Sequence, residues 1–181
     1  MAVPTYAGII IDLIVALVLV FSFLGGLKEG AVKEFLNLLA FIIALSLTGA
    51  FTGYVWGWLS FVTDHVWRDF FTFLLTMGMI TIILHLVFIL PRGLLDKVWS
   101  GGFIWNALGG ILGVVNTALG LVLMVILFDM YPVLNWLSDL LGASNVLNWL
   151  VSSFGSIILS LLHMTGTYLQ ALDINISFYV V

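Results

Sequence analysis

Four apolar runs of membrane-spanning length dominate this sequence, and no other feature limits its fold so strongly. They cover residues 7–27, 35–59, 70–90 and 103–130. An α-helix needs about 20 apolar residues to cross the hydrocarbon core of a bilayer. Composition agrees with that reading. Of 181 residues, 63% are hydrophobic and 8% charged, with a mean hydropathy of +1.27. A soluble domain carries roughly 25% charged residues, so lipid is the solvent this surface suits. The expected fold is all-α, an integral membrane helical bundle. It has four transmembrane helices plus a C-terminal interfacial or fifth membrane helix. The organisation reads as a membrane domain over residues 1–132 and an amphipathic tail over 133–181.

Pro91 and Pro132 follow the third and fourth runs. Each is a natural stop, because proline cannot donate to the helix ladder. The connections are short and polar. Lys28, Glu29, Lys33 and Glu34 surround Gly30 in the first. Asp64, His65, Trp67, Arg68 and Asp69 occupy the second, and Arg92, Asp96 and Lys97 the third. Residues 94–99 are predicted as a short helix on the membrane surface. The first run has no Lys or Arg before it and no small-x-small site after it. It exceeds the roughly 7–15 residues of a signal core, so it reads as a retained helix.

Residues 131–142, with Trp136 and Asp139, look interfacial. Residues 146–171 are long enough to span, yet Ser153, Ser156, Ser160, His163 and Thr167 recur on one helical face. Two readings follow: a fifth span with its stripe packed on the bundle, or an interfacial helix with its stripe in water. The continuity of the stripe favours the interfacial one.

Lys and Arg mark the cytoplasmic side of a membrane protein. Lys28, Lys33, Arg92 and Lys97 lie in loops on one side and only Arg68 on the other. The N-terminus is therefore expected outside. Tyr54, Trp56, Trp58 and Trp67 gather at the outer loop and Trp99 and Trp105 at the inner one, as an aromatic belt does.

Within the bilayer, helices approach through small residues. Gly49, Gly53 and Gly57 recur every fourth position in the second run, and Gly109, Gly113 and Thr117 in the fourth. Both series are candidate packing seams, within the chain or toward a partner. Polar residues also interrupt the runs: Asp12, Asn37, His85, Asn106, Asn116 and Asp129. A charge at the bilayer centre costs at least about 2.5–3.5 kcal/mol. Asp12 and Asp129 lie toward the outer face, where water or a hydrogen bond can hold them; otherwise one lines a polar path or anchors the bundle. A lone intramembrane His can ligate a haem or pigment metal, but His85 without a second ligand points first to hydrogen bonding across helices.

Cysteine is absent, which excludes disulfides, thiolate metal sites and a cysteine nucleophile. No basic patch suits nucleic acid. No carboxylate orients the His of the last helix, so no nucleophile–base–orienter set forms. No metal-ligand spacing or phosphate loop occurs. The chain is expected not to be an enzyme and to hold no cofactor beyond lipid, a bound pigment entering only within a photosynthetic complex.

Three places resemble the colicin V production protein (CvpA) family of small bacterial inner-membrane proteins. Ile11-Asp12 opens the first helix, eighteen residues before Gly30. The block Gly30-Ala31-Val32-Lys33-Glu34-Phe35-Leu36-Asn37-Leu38 is similar to the family's RG-F-V-R/K-E-x-L-x-L signature. Leu108-Gly109-Gly110-Ile111-Leu112-Gly113 resembles its LG-x-x-x-G stretch. Where the family has Arg before that Gly, Glu29 stands here. Its Asp-Arg is Trp105-Asn106, and its later Arg-Gly is Asn116-Thr117. The resemblance covers about residues 8–130 and makes Asp12, Gly30, Lys33 and Glu34 the family-motif residues. It implies a role in colicin V production or export and in envelope maintenance. The function expected is non-enzymatic, through helix contacts with lipid-embedded partners or a second copy. The alternatives are an accessory subunit of a photosynthetic or respiratory complex and, ranked lowest, an oligomeric channel or transporter component.

Overall fold

The computed structural model of the chain describes residues 5–98 and 102–164. Its helices are α1 (Thr5–Glu29), α2 (Ala31–Trp56), α3 (His65–Val98), α4 (Phe103–Met130), α5 (Asn135–Gly142) and α6 (Asn145–Met164), with a 3-10 turn at Gly57–Leu59 after α2. Five of them carry a stretch long and apolar enough to cross a membrane: Tyr6–Glu29, Ala31–Leu59, His65–Ile89, Phe103–Met130 and Asn145–Leu162. The chain is an all-helical, multi-pass membrane protein.

Two boundaries differ from the sequence expectation. Pro91 lies inside α3, which runs on to Val98. A proline inside a helix removes one ladder bond, a loss that membrane helices absorb when neighbouring groups satisfy the freed carbonyl. The surface helix expected at 94–99 is thus the end of α3 as far as Val98, and Trp99 lies outside the described residues. The second difference is α6. It packs on α4, α2 and α1, burying Leu147, Leu150, Val151, Ile158 and Leu162. Of the two readings, a fifth membrane helix fits this packing. Its serine stripe does not face the bundle, because Ser153, Ser156 and Ser160 are exposed on the opposite side. Thr167 and the His163 side chain lie outside the described residues.

α4 is the centre of the bundle: 44% of its span is buried inside the molecule, against 17% for α3. Its Ala118, Leu119, Val122, Leu123, Val125, Ile126 and Leu127 join Val15 of α1, Leu45 of α2, Phe73 of α3 and Ile158 of α6 in one core. α1 and α4 run antiparallel, with Gly26 beside Gly109 and Ser22 beside Gly113. α3 packs along α2 and meets the C-terminal end of α4 through Phe70–Phe128 rings 5.7 Å apart. The large apolar side chains of α1 and α3, such as Ile9, Leu13, Phe21, Ile82 and Leu86, face outward, as a lipid-contacting surface should.

Candidate functional site

Gly30 is the single residue between α1 and α2, with φ at +80°. Side chains rarely accept that conformation, so glycine is needed for the turn. It is needed again for packing. A Cβ on Gly109 would lie 2.8 Å from the Gly30 Cα, and one on Gly113 would lie 2.7 Å from the Ser22 carbonyl oxygen. Ser22 and Thr117 hydrogen-bond across the same contact. The α4 glycines therefore meet α1, with backbones in contact as small residues in lipid permit.

The glycines of α2 do not form such a seam within the chain. Gly53 and Gly57 are exposed and Gly49 is half-buried, and open space surrounds the position of a Gly57 Cβ. The buried small-residue series on α2 is instead Ala40, Ala44, Thr48 and Thr52. It lies one residue earlier, about 100° around the helix. Its hydroxyls are satisfied inside the helix, Thr48 donating to the Ala44 carbonyl at 2.6 Å and Thr52 to that of Gly49 at 2.8 Å. Thr72 and Thr76 of α3 do the same, with carbonyls four residues back. Threonine here acts as a small, internally satisfied surface.

The turn places Lys33 and Glu34 differently. Lys33 pairs with Glu29 at 3.3 Å on the surface, a contact worth little in water. Glu34 turns inward and is 8% exposed. Asn116 Nδ2 donates to Glu34 Oε2 at 3.1 Å and to its carbonyl oxygen at 3.4 Å. This joins the start of α2 to the middle of α4. Beside the pair lies a cavity of about 420 Å³, lined by Glu34, Asn37, Met77, Thr81, His85 and Asn116 among others. Three residues singled out in the sequence for different reasons, Glu34, His85 and Asn116, thus share one intramembrane polar pocket between α2, α3 and α4. His85 is exposed at its edge.

Asp12 serves another contact. Ser144 Oγ donates to Asp12 Oδ1 at 2.5 Å and the Val146 amide donates to the same oxygen at 3.1 Å. The Ser144 oxygen in turn accepts from the Leu147 amide at 3.1 Å. A helix start leaves its first amides without internal partners. Here the N-cap serine and a carboxylate from α1 share them, and the negative charge faces the positive end of the α6 dipole. Asp129 makes a parallel contact, accepting from Ser138 Oγ of α5 at 2.5 Å. Ser22, Ser138 and Ser144 escaped the sequence reading. Ser144-Asn145 before an apolar run is a start signal for a helix, but nothing local ties it to Asp12.

At the start of α3, Arg68 lies over the Trp56 ring, 4.1 Å from its centroid, and its Nη2 sits 2.5 Å from His65 Nδ1. Trp56 Nε1 donates to Asp69 at 3.1 Å. Burial and the nearby Asp69 charge push the Tyr131 phenol up to about 12, so it packs against Phe70 and Phe73 as a neutral group. Among the described residues, no three His, Asp or Glu side chains gather as metal ligands.

No curated protein and no solved structure matches the chain. A family model does, described as colicin V production protein, over residues 11–164. That span takes in Asp12, the Gly30 turn, Glu34, the α4 glycines, Asn116 and all of α5 and α6. The chain belongs to the colicin V production protein family.

Proposed function

We propose that the chain is a non-enzymatic component of the bacterial inner membrane, with its N-terminus outside. It serves the toxin-production or envelope role associated with its family by packing against other membrane proteins or a second copy. The family match over residues 11–164 carries this reading. The outer part of α2 supports it. Gly53 and Gly57 leave an open notch there, flanked by exposed Tyr54 and Trp58. Small residues in lipid let another helix come close, and this pair is unused inside the chain.

The absence of native cysteine makes the test clean. Gly57→Cys crosslinks in cells to a discrete partner or to itself, while lipid-facing Ile82→Cys does not. A monomer in both cases, with nothing retained after gentle extraction, removes the reading. The exposed edge position of His85 favours one second reading, an accessory subunit with a pigment on that imidazole. An absorption spectrum of the native complex unchanged by His85→Ala would remove it.

A further inference from the structure

Arg68 stands in the first turn of α3 and is 9% exposed. A guanidinium taken out of water needs an anion or a full set of acceptors. Among the described residues no carboxylate lies within ion-pair distance of it. Its two acidic neighbours in sequence are engaged elsewhere. Asp64 Oδ1 accepts from the Val66 and Trp67 amides, and Asp69 Oδ1 accepts from Trp56 Nε1. Arg68 receives one ring face, from Trp56, and one acceptor, His65 Nδ1. Its Nε is enclosed without a hydrogen-bond partner. Among the described residues its Nη1 has no partner either, and that nitrogen is not enclosed. The chain leaves this cation incomplete, with one nitrogen open to a ligand.

A guanidinium cannot accept a hydrogen bond, so His65 Nδ1 is the acceptor and the neutral ring carries its proton on Nε2. His65 is exposed, and its Nε2 offers a second donor at the same contact. The first amides of α3 are already taken by Asp64, so a ligand meets side chains rather than the helix end. A fixed charge with planar N–H donors suits phosphate oxygens. Depth selects the same group. Trp56 touches Arg68, Trp67 precedes it and Trp58 is exposed nearby in sequence, and such rings sit at the level of lipid headgroups. Asp64 and Asp69 oppose a doubly charged anion, which favours a singly charged phosphodiester. We propose that Arg68, with His65, binds a phosphate group, carried by a phospholipid headgroup or by free phosphate. The site depends on neither the orientation of the bundle nor the seam at Gly57, so binding here and crosslinking there succeed or fail separately.

The test uses the full chain purified in dodecyl maltoside, a detergent without phosphate. Native mass spectrometry compares retention of phosphatidylglycerol and phosphatidylethanolamine with that of diacylglycerol bearing the same acyl chains. Thermal unfolding is followed with inorganic phosphate against chloride at equal ionic strength. Retention of each phospholipid about tenfold above diacylglycerol is expected, the scale of one charge-assisted hydrogen bond. Arg68→Gln abolishes the preference. So does His65→Glu, which keeps the arginine and offers it a carboxylate from an exposed position, so it stands in if Arg68→Gln fails to fold. Lys33→Gln, at the opposite end of α2 from Trp56, keeps the preference. A thermal shift specific to inorganic phosphate and lost in both variants, without lipid preference, assigns the site to free phosphate. Equal retention of all three lipids with no phosphate shift overturns the proposal and leaves Arg68 to an acidic side chain of a partner protein. So does a preference that survives both Arg68→Gln and His65→Glu, which would mark an adventitious lipid elsewhere on the surface.

Discussion

Ser144 is fully buried at the point where α1 and α6 exchange hydrogen bonds. Its hydroxyl does two jobs: it caps α6 through Leu147 and donates to Asp12. Ser144→Ala removes both and leaves an amide of the first turn without its partner. Loss of such a cap costs about 0.5–2 kcal/mol. Thermal or denaturant unfolding in detergent, followed by circular dichroism, is expected to show that loss. Ser144→Thr keeps a hydroxyl and should recover part of it. Stability unchanged by Ser144→Ala would mean that the bond contributes nothing. Asp12 itself was visible in the sequence as a carboxylate within an apolar run. Its partner was not, because 132 residues separate the two and only the packed bundle brings them together. Glu34 and Asn116 show the same limit, being 82 residues apart.

Among the elements, α2 shows how a helix face can be misjudged by one position. Glycine is the smallest residue, so Gly49, Gly53 and Gly57 marked the expected seam. The buried face carries Ala40, Ala44, Thr48 and Thr52, where alanine and internally bonded threonine provide the same flatness. A shift of one residue turns the face by about 100°, enough to exchange a neighbouring helix for open surroundings. In α4 the glycines lie at the contact itself, matched by Gly26 of α1 and by Gly30 of the turn that follows it. Ala44 has no exposed surface. Ala44→Leu therefore overpacks a filled site on the buried face of α2 and should destabilise by about 1–3 kcal/mol. Gly57→Ala, at φ −62° in open space, should change stability by less than about 0.5 kcal/mol. Comparing the two unfolding curves decides which face is the seam; a larger effect from Gly57→Ala would reverse the assignment.

For the molecule as a whole, four spans were legible because each is apolar on every side, with span hydropathy from 2.0 to 2.8. The fifth reaches 1.5, since Ser152, Ser153, Ser156 and Ser160 occupy its outward face and dilute the signal. Packing supplies what hydropathy lacked. Asp12 receives the first turn of α6, so α6 starts near the depth of Asp12, and a crossing from there runs in the direction of α1. Its 20 residues advance about 30 Å, the thickness of the hydrocarbon core. If the basic loops of Lys28, Lys33, Arg92 and Lys97 mark the cytoplasm, α6 ends there too, opposite the N-terminus. This is a five-span topology, and it is testable with cysteines introduced one at a time. Ser60→Cys should react with a membrane-impermeant maleimide in intact cells, and Lys28→Cys only after permeabilisation. A green fluorescent reporter fused after Val181 folds in the cytoplasm and not beyond the membrane, so it should fluoresce. A dark fusion with the same cysteine pattern would lay α6 on the outer surface and restore a four-span protein. An inverted cysteine pattern would turn the whole bundle over and move the Glu34 cavity to the opposite leaflet.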